Sequence, residues 1–325
     1  MRKTGVICIL LIASAAAARA EDCQLKKYGT IPFETDGMSH IFIPASIQDR
    51  KTRLQLDTGA FWSMVRRDLA EELQLKIRRS YYLNLVDLAG EKLKDVAVVP
   101  VLKLGNMKYG ETEMFVTNMA ASTPVEQFGG LLGQNLLNKL DLEIDNAGKT
   151  ISLFSQDHCK GAGVYWADEA VTLEYYRKPG TTSKNSNIKS INTEQIDPPI
   201  VKADVEGQTA YVLFDTGATY SSMDLDVARV RFGITPQTPG VEPDGKAYTA
   251  SGASIDSYKY TIKSLTISGI RFENVPIRLS KFDDKSQILL GMNELKHLRI
   301  YFSFGEGLVH ITAADAKREA APQQK

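Results

Sequence analysis

The chain has 325 residues, 43% of them hydrophobic, which is enough for about two domains with cores of their own. Lys plus Arg and Asp plus Glu both total 39, so the formal net charge is zero. That balance argues against a nucleic-acid partner, which would leave a basic excess, and the mixed signs read as solvated surface.

In chain order, the first segment is a leader. Arg2 and Lys3 precede an apolar run from Val6 to Ala18, and Ala18-Arg19-Ala20 ends it. A positive start, a short apolar core and a small-residue exit predict a secretory signal peptide over 1–20, cleaved after Ala20. An uncleaved anchor is the alternative, but the run is shorter than the roughly 20 apolar residues a spanning helix needs. Export is expected, to the periplasm or outside the cell, with no membrane association after cleavage. An N-terminal segment follows over 21–39. Cys8 lies in the leader, so Cys23 and Cys159 remain. In an oxidising compartment they can form a disulfide, or they stand as two independent small residues. The acidic pair before Cys23 argues against a lipid-modified cysteine.

The first β-rich lobe is expected over 40–155. His40 to Ile47 and Thr52 to Leu56 read as strands around a polar turn, Gln48-Asp49-Arg50-Lys51. The second run leads into Asp57-Thr58-Gly59-Ala60. Asp68 to Leu75 has the apolar spacing of a short helix. Gly90 and Gly105 mark turns, and Leu131-Leu132-Gly133 closes the series. Residues 156–198 form an inter-lobe linker holding Pro179-Gly180 and a polar run from Thr181 to Ser186, with room for a strand or two between Val164 and Tyr176. The second lobe is expected over 199–312. Pro199 to Val205 and Ala210 to Phe214 flank a turn at Glu206-Gly207-Gln208 and lead into Asp215-Thr216-Gly217-Ala218. A short helix is expected from Asp224 to Phe232, with turns at Gly252 and Gly269. The tail over 313–325 is polar and alanine-rich, and should fray.

The chain contains itself twice. The Asp-Thr-Gly-Ala segments at 57 and 215 stand 158 residues apart, and Leu131-Leu132-Gly133 recurs as Leu289-Leu290-Gly291 at the same offset. Two landmarks sharing one offset indicate an internal repeat. The same offset pairs Ala45 with Ala203, Ser63 with Ser221 and Asn135 with Asn293. Between the landmarks the copies drift, and Leu88-Ala89-Gly90 matches Ala250-Ser251-Gly252 at 162.

Asp-Thr-Gly after an apolar strand has a chemical use. The strand fixes the carboxylate at its end. Gly59 and Gly217 permit close approach, and Thr58 and Thr216 can bond across to the opposite backbone. Two carboxylates forced together cannot both ionise cheaply, so they share a proton over a wide pH range. One then takes a proton from a bound water while the other donates to a peptide carbonyl. The alternative, a pair of merely polar turns, fits the doubled spacing poorly.

On these residues the chain resembles the retropepsin-like and pepsin-like aspartic proteases. Their signature is two apolar residues, Asp-Thr-Gly, then Ala or Ser, with a later glycine after two apolar residues. Leu131-Leu132-Gly133-Gln134-Asn135 is similar to the retropepsin form of that element; Leu289-Leu290-Gly291-Met292-Asn293 is a looser match. The resemblance implies a mainly β fold with short helices: two tandem retropepsin-like barrel lobes related by a pseudo-twofold axis. It implies an aspartic endopeptidase with Asp57 and Asp215 as the catalytic pair. The turn residues Thr58, Gly59, Ala60, Thr216, Gly217 and Ala218 would support them. It also implies flaps over the cleft, with Gly90 and Gly252 near their tips and Tyr81, Tyr82 and Tyr248 nearby. Ordinary β-turn glycines are the alternative. The substrate would be a polypeptide bound as an extended strand. With both lobes in one chain, a monomer is expected, although like lobes pairing between molecules is a rival. Gln134 and Met292 stand where retropepsins carry arginine. Ala60 and Ala218 cannot donate to the carboxylates as serine would, which predicts activity reaching weakly acidic or neutral pH.

No cofactor and no metal are expected. His40, His158, His297 and His310 have no ligand spacing and read as solvated or core residues. There is no phosphate-binding glycine loop or serine elbow. A binding module that grips extended peptides without cutting them is the rival function.

Overall fold

The computed structural model describes residues 25–80, 85–119, 123–158, 164–176, 198–249, 251–281 and 288–316. The expected leader, Cys23, Cys159, Tyr81, Tyr82, most of the linker and the end of the tail lie outside them.

The protein is mainly β, with two repeated sheets and four short helices among the described residues. The first lobe begins with the hairpin Ile41–Ile47 and Arg50–Leu56. Ile41, Ile43, Ala45 and Ile47 face one core, the period-two burial of a half-buried strand. The turn is tighter than the sequence suggests. Gln48 and Asp49 alone make it, with φ of 47° and 67°. Two residues with positive φ match the twist of the flanking strands, so Arg50 and Lys51 join the second strand instead of the turn. In the second lobe Glu206 and Gly207, with φ of 50° and 84°, turn Ile200–Val205 into Gln208–Phe214, which takes Gln208 into the strand.

In each lobe the strand that ends at the aspartate lies parallel to the Leu-Leu strand of the later landmark. Leu54, Gln55 and Leu56 pair with Gly130, Leu131 and Leu132; Val212, Leu213 and Phe214 pair with Ile288, Leu289 and Leu290. Each strand is thus held on both sides, and the residue following it is positioned by core packing. The expected helices form over Arg67–Glu72 and Leu225–Phe232. In the second, Asp224 caps the start by accepting from the N–H groups of Asp226 and Val227, and Gly233 ends it with φ of 68°.

The lobes share a six-stranded sheet. At its centre Asp141–Asp145 from the first half runs antiparallel to Leu298–Ser303 from the second. Leu142 faces Phe302, and Ile144 faces Ile300. Adding the repeat offset of 158 to Leu142 gives Ile300, and to Ile144 gives Phe302, so the pairing maps onto itself. That is the pseudo-twofold relation in its most local form. Thr150–Phe154 and Leu308–Ala313 flank the central pair, Lys27–Pro32 adds one edge, and Val171–Glu174, the strand within the linker, adds the other.

Candidate active site

The two Asp-Thr-Gly turns meet. Thr58 Oγ1 donates to Phe214 O at 2.6 Å, and Thr216 Oγ1 donates to Leu56 O at 2.8 Å. Each threonine N–H in turn donates to the opposite hydroxyl, both at 3.1 Å. The four bonds form a closed, fully buried ring across the pseudo-twofold axis. Both threonines are at most 1% exposed, so a missing bond here would strand groups away from water.

This ring sets the approach of the carboxyl groups. A methyl at Gly59 would lie 2.5 Å from Asp215 Cγ, and one at Gly217 would lie 2.3 Å from Asp57 Cγ. Only glycine leaves room for the opposite acid. The later landmark completes each turn identically. Asp57 N–H donates to Leu132 O and Asp215 N–H to Leu290 O, both at 3.0 Å. Gln134 N–H donates to Ala60 O and Met292 N–H to Ala218 O, both at 2.8 Å. Gln134 and Met292 both start short helices, Gln134–Leu137 and Met292–Leu295, and the Gln134 side chain also donates to Thr58 O at 2.7 Å.

Asp57 and Asp215 are brought together, each carboxyl set against the glycine of the opposite turn. Burial raises both carboxyl groups above the ordinary carboxylate range. For Asp215 the negative charge of Asp57 adds to burial and carries it well above that range. Asp57 is restrained by N–H donors from Ala60 at 2.8 Å and Gly59 at 3.0 Å, and by His40. Asp215 Oδ1 accepts from Gly217 N–H at 2.9 Å. The pair titrates as a unit and shares a proton.

Both glycines expected near flap tips occupy hairpin turns with positive φ, 81° at Gly90 and 89° at Gly252. The first hairpin pairs Leu85–Val86 with Lys92–Leu93; the second pairs Glu242–Tyr248 with the long strand Ser254–Ile267. The tips touch. Asp87 accepts from Thr249 Oγ1 and, at 3.2 Å, from Ser251 N–H. Its other oxygen accepts from the N–H groups of Ala89 and Glu91, both at 2.9 Å. Burial pushes the Asp87 carboxyl up, but these donors outweigh it and hold the group below its ordinary value. Leu88 packs on Leu213 and Leu289, on the opposite face of the sheet from Val212 and Phe214, so the first hairpin reaches onto the second lobe beside Asp215. Tyr248 is exposed on the second hairpin.

Local sequence patterns missed three participants. Gln55 Nε2 donates to Gly217 O at 3.2 Å. Asp87 joins the tips across 162 residues of chain. His40 bonds Asp36 through Nδ1 at 2.9 Å and Thr219 Oγ1 through Nε2 at 2.8 Å. Only the four-residue spacing of Asp36 and His40 was available to hint at any of them. Among the described residues, no group of three or more His, Cys, Asp or Glu side chains could hold a metal ion, and no helix is long and apolar enough to cross a membrane.

A family model described as aspartyl protease matches the chain twice, over residues 43–136 and 201–293. Among solved structures, the chain is similar to the aspartic proteinase from Irpex lacteus at 10% sequence identity, with a TM-score of 0.51. The match covers 88% of this chain and 97% of that one, and the likeness concerns the fold. No curated protein sequence matches.

Proposed function

The chain belongs to the aspartyl protease family, and from that premise we propose that it is an endopeptidase in which Asp57 and Asp215 activate water against a peptide bond. The observation that carries this reading is the meeting of the two Asp-Thr-Gly turns across the threonine ring, with each carboxyl facing the glycine of the other turn. An ionised and a protonated carboxyl side by side supply both halves of the chemistry. The ionised member takes a proton from a water held between them, and the protonated member donates to the scissile carbonyl. No covalent enzyme intermediate forms.

The substrate binds as an extended strand beneath the hairpins at 85–93 and 242–258, which part to admit it and close over it. Main-chain bonds provide affinity and side-chain pockets selectivity. Both acids come from one chain, so one exported monomer makes a complete site. The pH range follows from the pair. Activity is lost in acid where the ionised member takes up a proton, and in base where Asp215 loses its own. Because Asp215 is held well above the ordinary carboxylate range, the basic limit moves up and activity extends to weakly acidic or neutral pH.

The test is cleavage of a peptide library by the parent protein and by Asp57→Asn and Asp215→Asn. Both substitutions should lower kcat/KM by about 10²–10⁴-fold while leaving peptide affinity largely intact. Variants that cut as well as the parent would remove the dyad from the reaction. A parent that binds extended peptides without cutting any would favour the peptide-gripping module instead.

A further inference from the structure

The second lobe carries a cation where the first carries an apolar ring. Phe115 pairs with Met64 and Arg278 with Ser222, each across parallel strands. Met64 and Ser222 stand at the repeat offset of 158, so Phe115 and Arg278 hold equivalent places beside the two turns. Phe115 is fully buried against Trp62, in the cluster with Phe42 and Phe128. Arg278 lies instead over the Tyr220 ring, 4.1 Å from its centroid, and its side chain keeps 20% exposure. Tyr220 comes five residues after Asp215 and is itself exposed.

The same guanidinium reaches the hairpin at 242–258. Two ion pairs close within that hairpin, Lys259 with Glu242 at 2.8 Å and Lys246 with Asp256 at 2.6 Å. Asp244 behaves differently. The strand register slips between Pro243 and Lys246, with Gly245 at φ of 75°, and a bulge of this kind re-aims the side chain beside it. Asp244 is turned off its own hairpin and pairs with Arg278 Nη1. A side chain that touches both the turn after Asp215 and the hairpin above it stands in the wall between them, beside the path of a bound chain. Arginine offers five N–H donors in a planar fork. Among the described residues nothing accepts from Arg278 Nε or Nη2. Stacking on Tyr220 fixes the plane of the fork without using a donor. What remains free is a pre-set edge that fits a second carboxylate.

We propose that Arg278 is a specificity-determining residue that selects an acidic side chain of the substrate at the second-lobe wall, while the first-lobe wall, with Phe115 in the equivalent place, selects no charge. The proposal rests on the protease reading and names its substrate class: peptides with Asp or Glu at one position, to one side of the bond that is cut. The competing role for the arginine is a latch, in which its pair with Asp244 only holds the hairpin down. The two roles make opposite demands on Asp244. In a latch it is a necessary partner; in a selective wall it competes with the substrate for the guanidinium.

The experiment digests a peptide library with the parent, Arg278→Gln, Arg278→Lys and Asp244→Asn. It then compares kcat/KM for matched peptides carrying Glu, Gln or Leu at each position in turn. The parent should favour the acid at one position on one side of the cut, with the Glu peptide preferred about tenfold over the Gln peptide. Arg278→Gln should bring that ratio to about one by losing the Glu peptide. Arg278→Lys keeps the charge without the fork and should fall between. Asp244→Asn frees the guanidinium and should raise the ratio. A parent without acidic preference would overturn the proposal. So would Arg278→Gln and Asp244→Asn both raising KM for all peptides alike with the ratio unmoved, which is the latch. Where the glutamine variant does not fold, Asp244→Asn decides by the direction of its ratio. Cleavage without the preference removes the selectivity and leaves the protease standing. If the parent cuts nothing, the ratio is read from the affinities of the same peptides by fluorescence anisotropy. A preference lost in Arg278→Gln then keeps the acid-selective wall and removes the protease, whereas equal or undetectable affinities remove both.

Discussion

The two lobes answer the same structural demand with the same residues and face the cleft with different ones. Around the acids the threonine ring and the main-chain bonds to the later landmark match between the copies. Ser63 Oγ accepts from Gly133 N–H at 2.9 Å, and Ser221 Oγ accepts from Gly291 N–H at 3.0 Å. Away from that centre they part. Gln55 in the first lobe corresponds to Leu213 in the second. Trp62 meets Phe115 edge-on at 6.1 Å, within an apolar cluster that includes Phe42 and Phe128. At the matching place Tyr220 lies under the Arg278 guanidinium at 4.1 Å, and Arg278 is paired with Asp244. The first hairpin has two strands of two residues; the second has strands of seven and fourteen. Chemistry that needs two matched acids constrains one set of positions. Recognition of an extended chain, which has two different ends, does not require the other set to match.

That contrast can be broken experimentally, and the largest effect is expected at the glycines. Gly59→Ala and Gly217→Ala each push a methyl into the opposite carboxylate, a displacement of about 1 Å that should cost roughly 10²-fold in kcat. Matched losses support equivalence at the centre; a tolerated substitution on one side would refute it. Next comes stability. Thr58→Val and Thr216→Val each leave a buried backbone carbonyl and N–H without partners, at about 1–3 kcal/mol per stranded group. Denaturant midpoints should fall by similar amounts for the two variants. The smallest effect sharpens the asymmetric part. Asp87 lies below its ordinary carboxylate value when the tips are joined, so the joined state gains stability above the open-state value and loses it as pH falls through the joined-state value. Amide exchange over 85–93 and 242–258 should therefore accelerate in strong acid in the parent, whereas Asp87→Asn should exchange fast at neutral pH as well, with a KM change of a few-fold. Unchanged exchange in that variant would detach Asp87 from tip closure.

Much of this was legible because the repeat writes its landmarks twice. Asp-Thr-Gly-Ala and Leu-Leu-Gly share one offset, which no local propensity would produce, and the strands leading into them alternate or run apolar as buried strands do. The misplacement of Arg50 and Lys51 came from reading polarity as turn, when a two-residue turn with positive φ suffices. What stayed hidden is non-local. Asp87 finds Thr249, and His40 finds Thr219, across 162 and 179 residues, with no periodicity to announce either pairing. The joint sheet is similar: Asp141–Asp145 and Leu298–Ser303 fall in separate expected lobes, and only the fold shows that they pair with each other.

That joint sheet has a consequence for how the chain comes apart. Val171–Glu174 from the linker is stitched to the last strand, so the N-terminal part of the chain reaches past the central pair onto the second half, while Lys27–Pro32 closes the first half's own edge. Scission anywhere within 177–197 would sever the covalent path and leave that sheet whole. A nicked molecule would stay in one piece and keep its acids in register, whereas a lobe expressed by itself would meet water with the raw edge of Asp141–Asp145 or Leu298–Ser303, an invitation to pair with a second copy of itself.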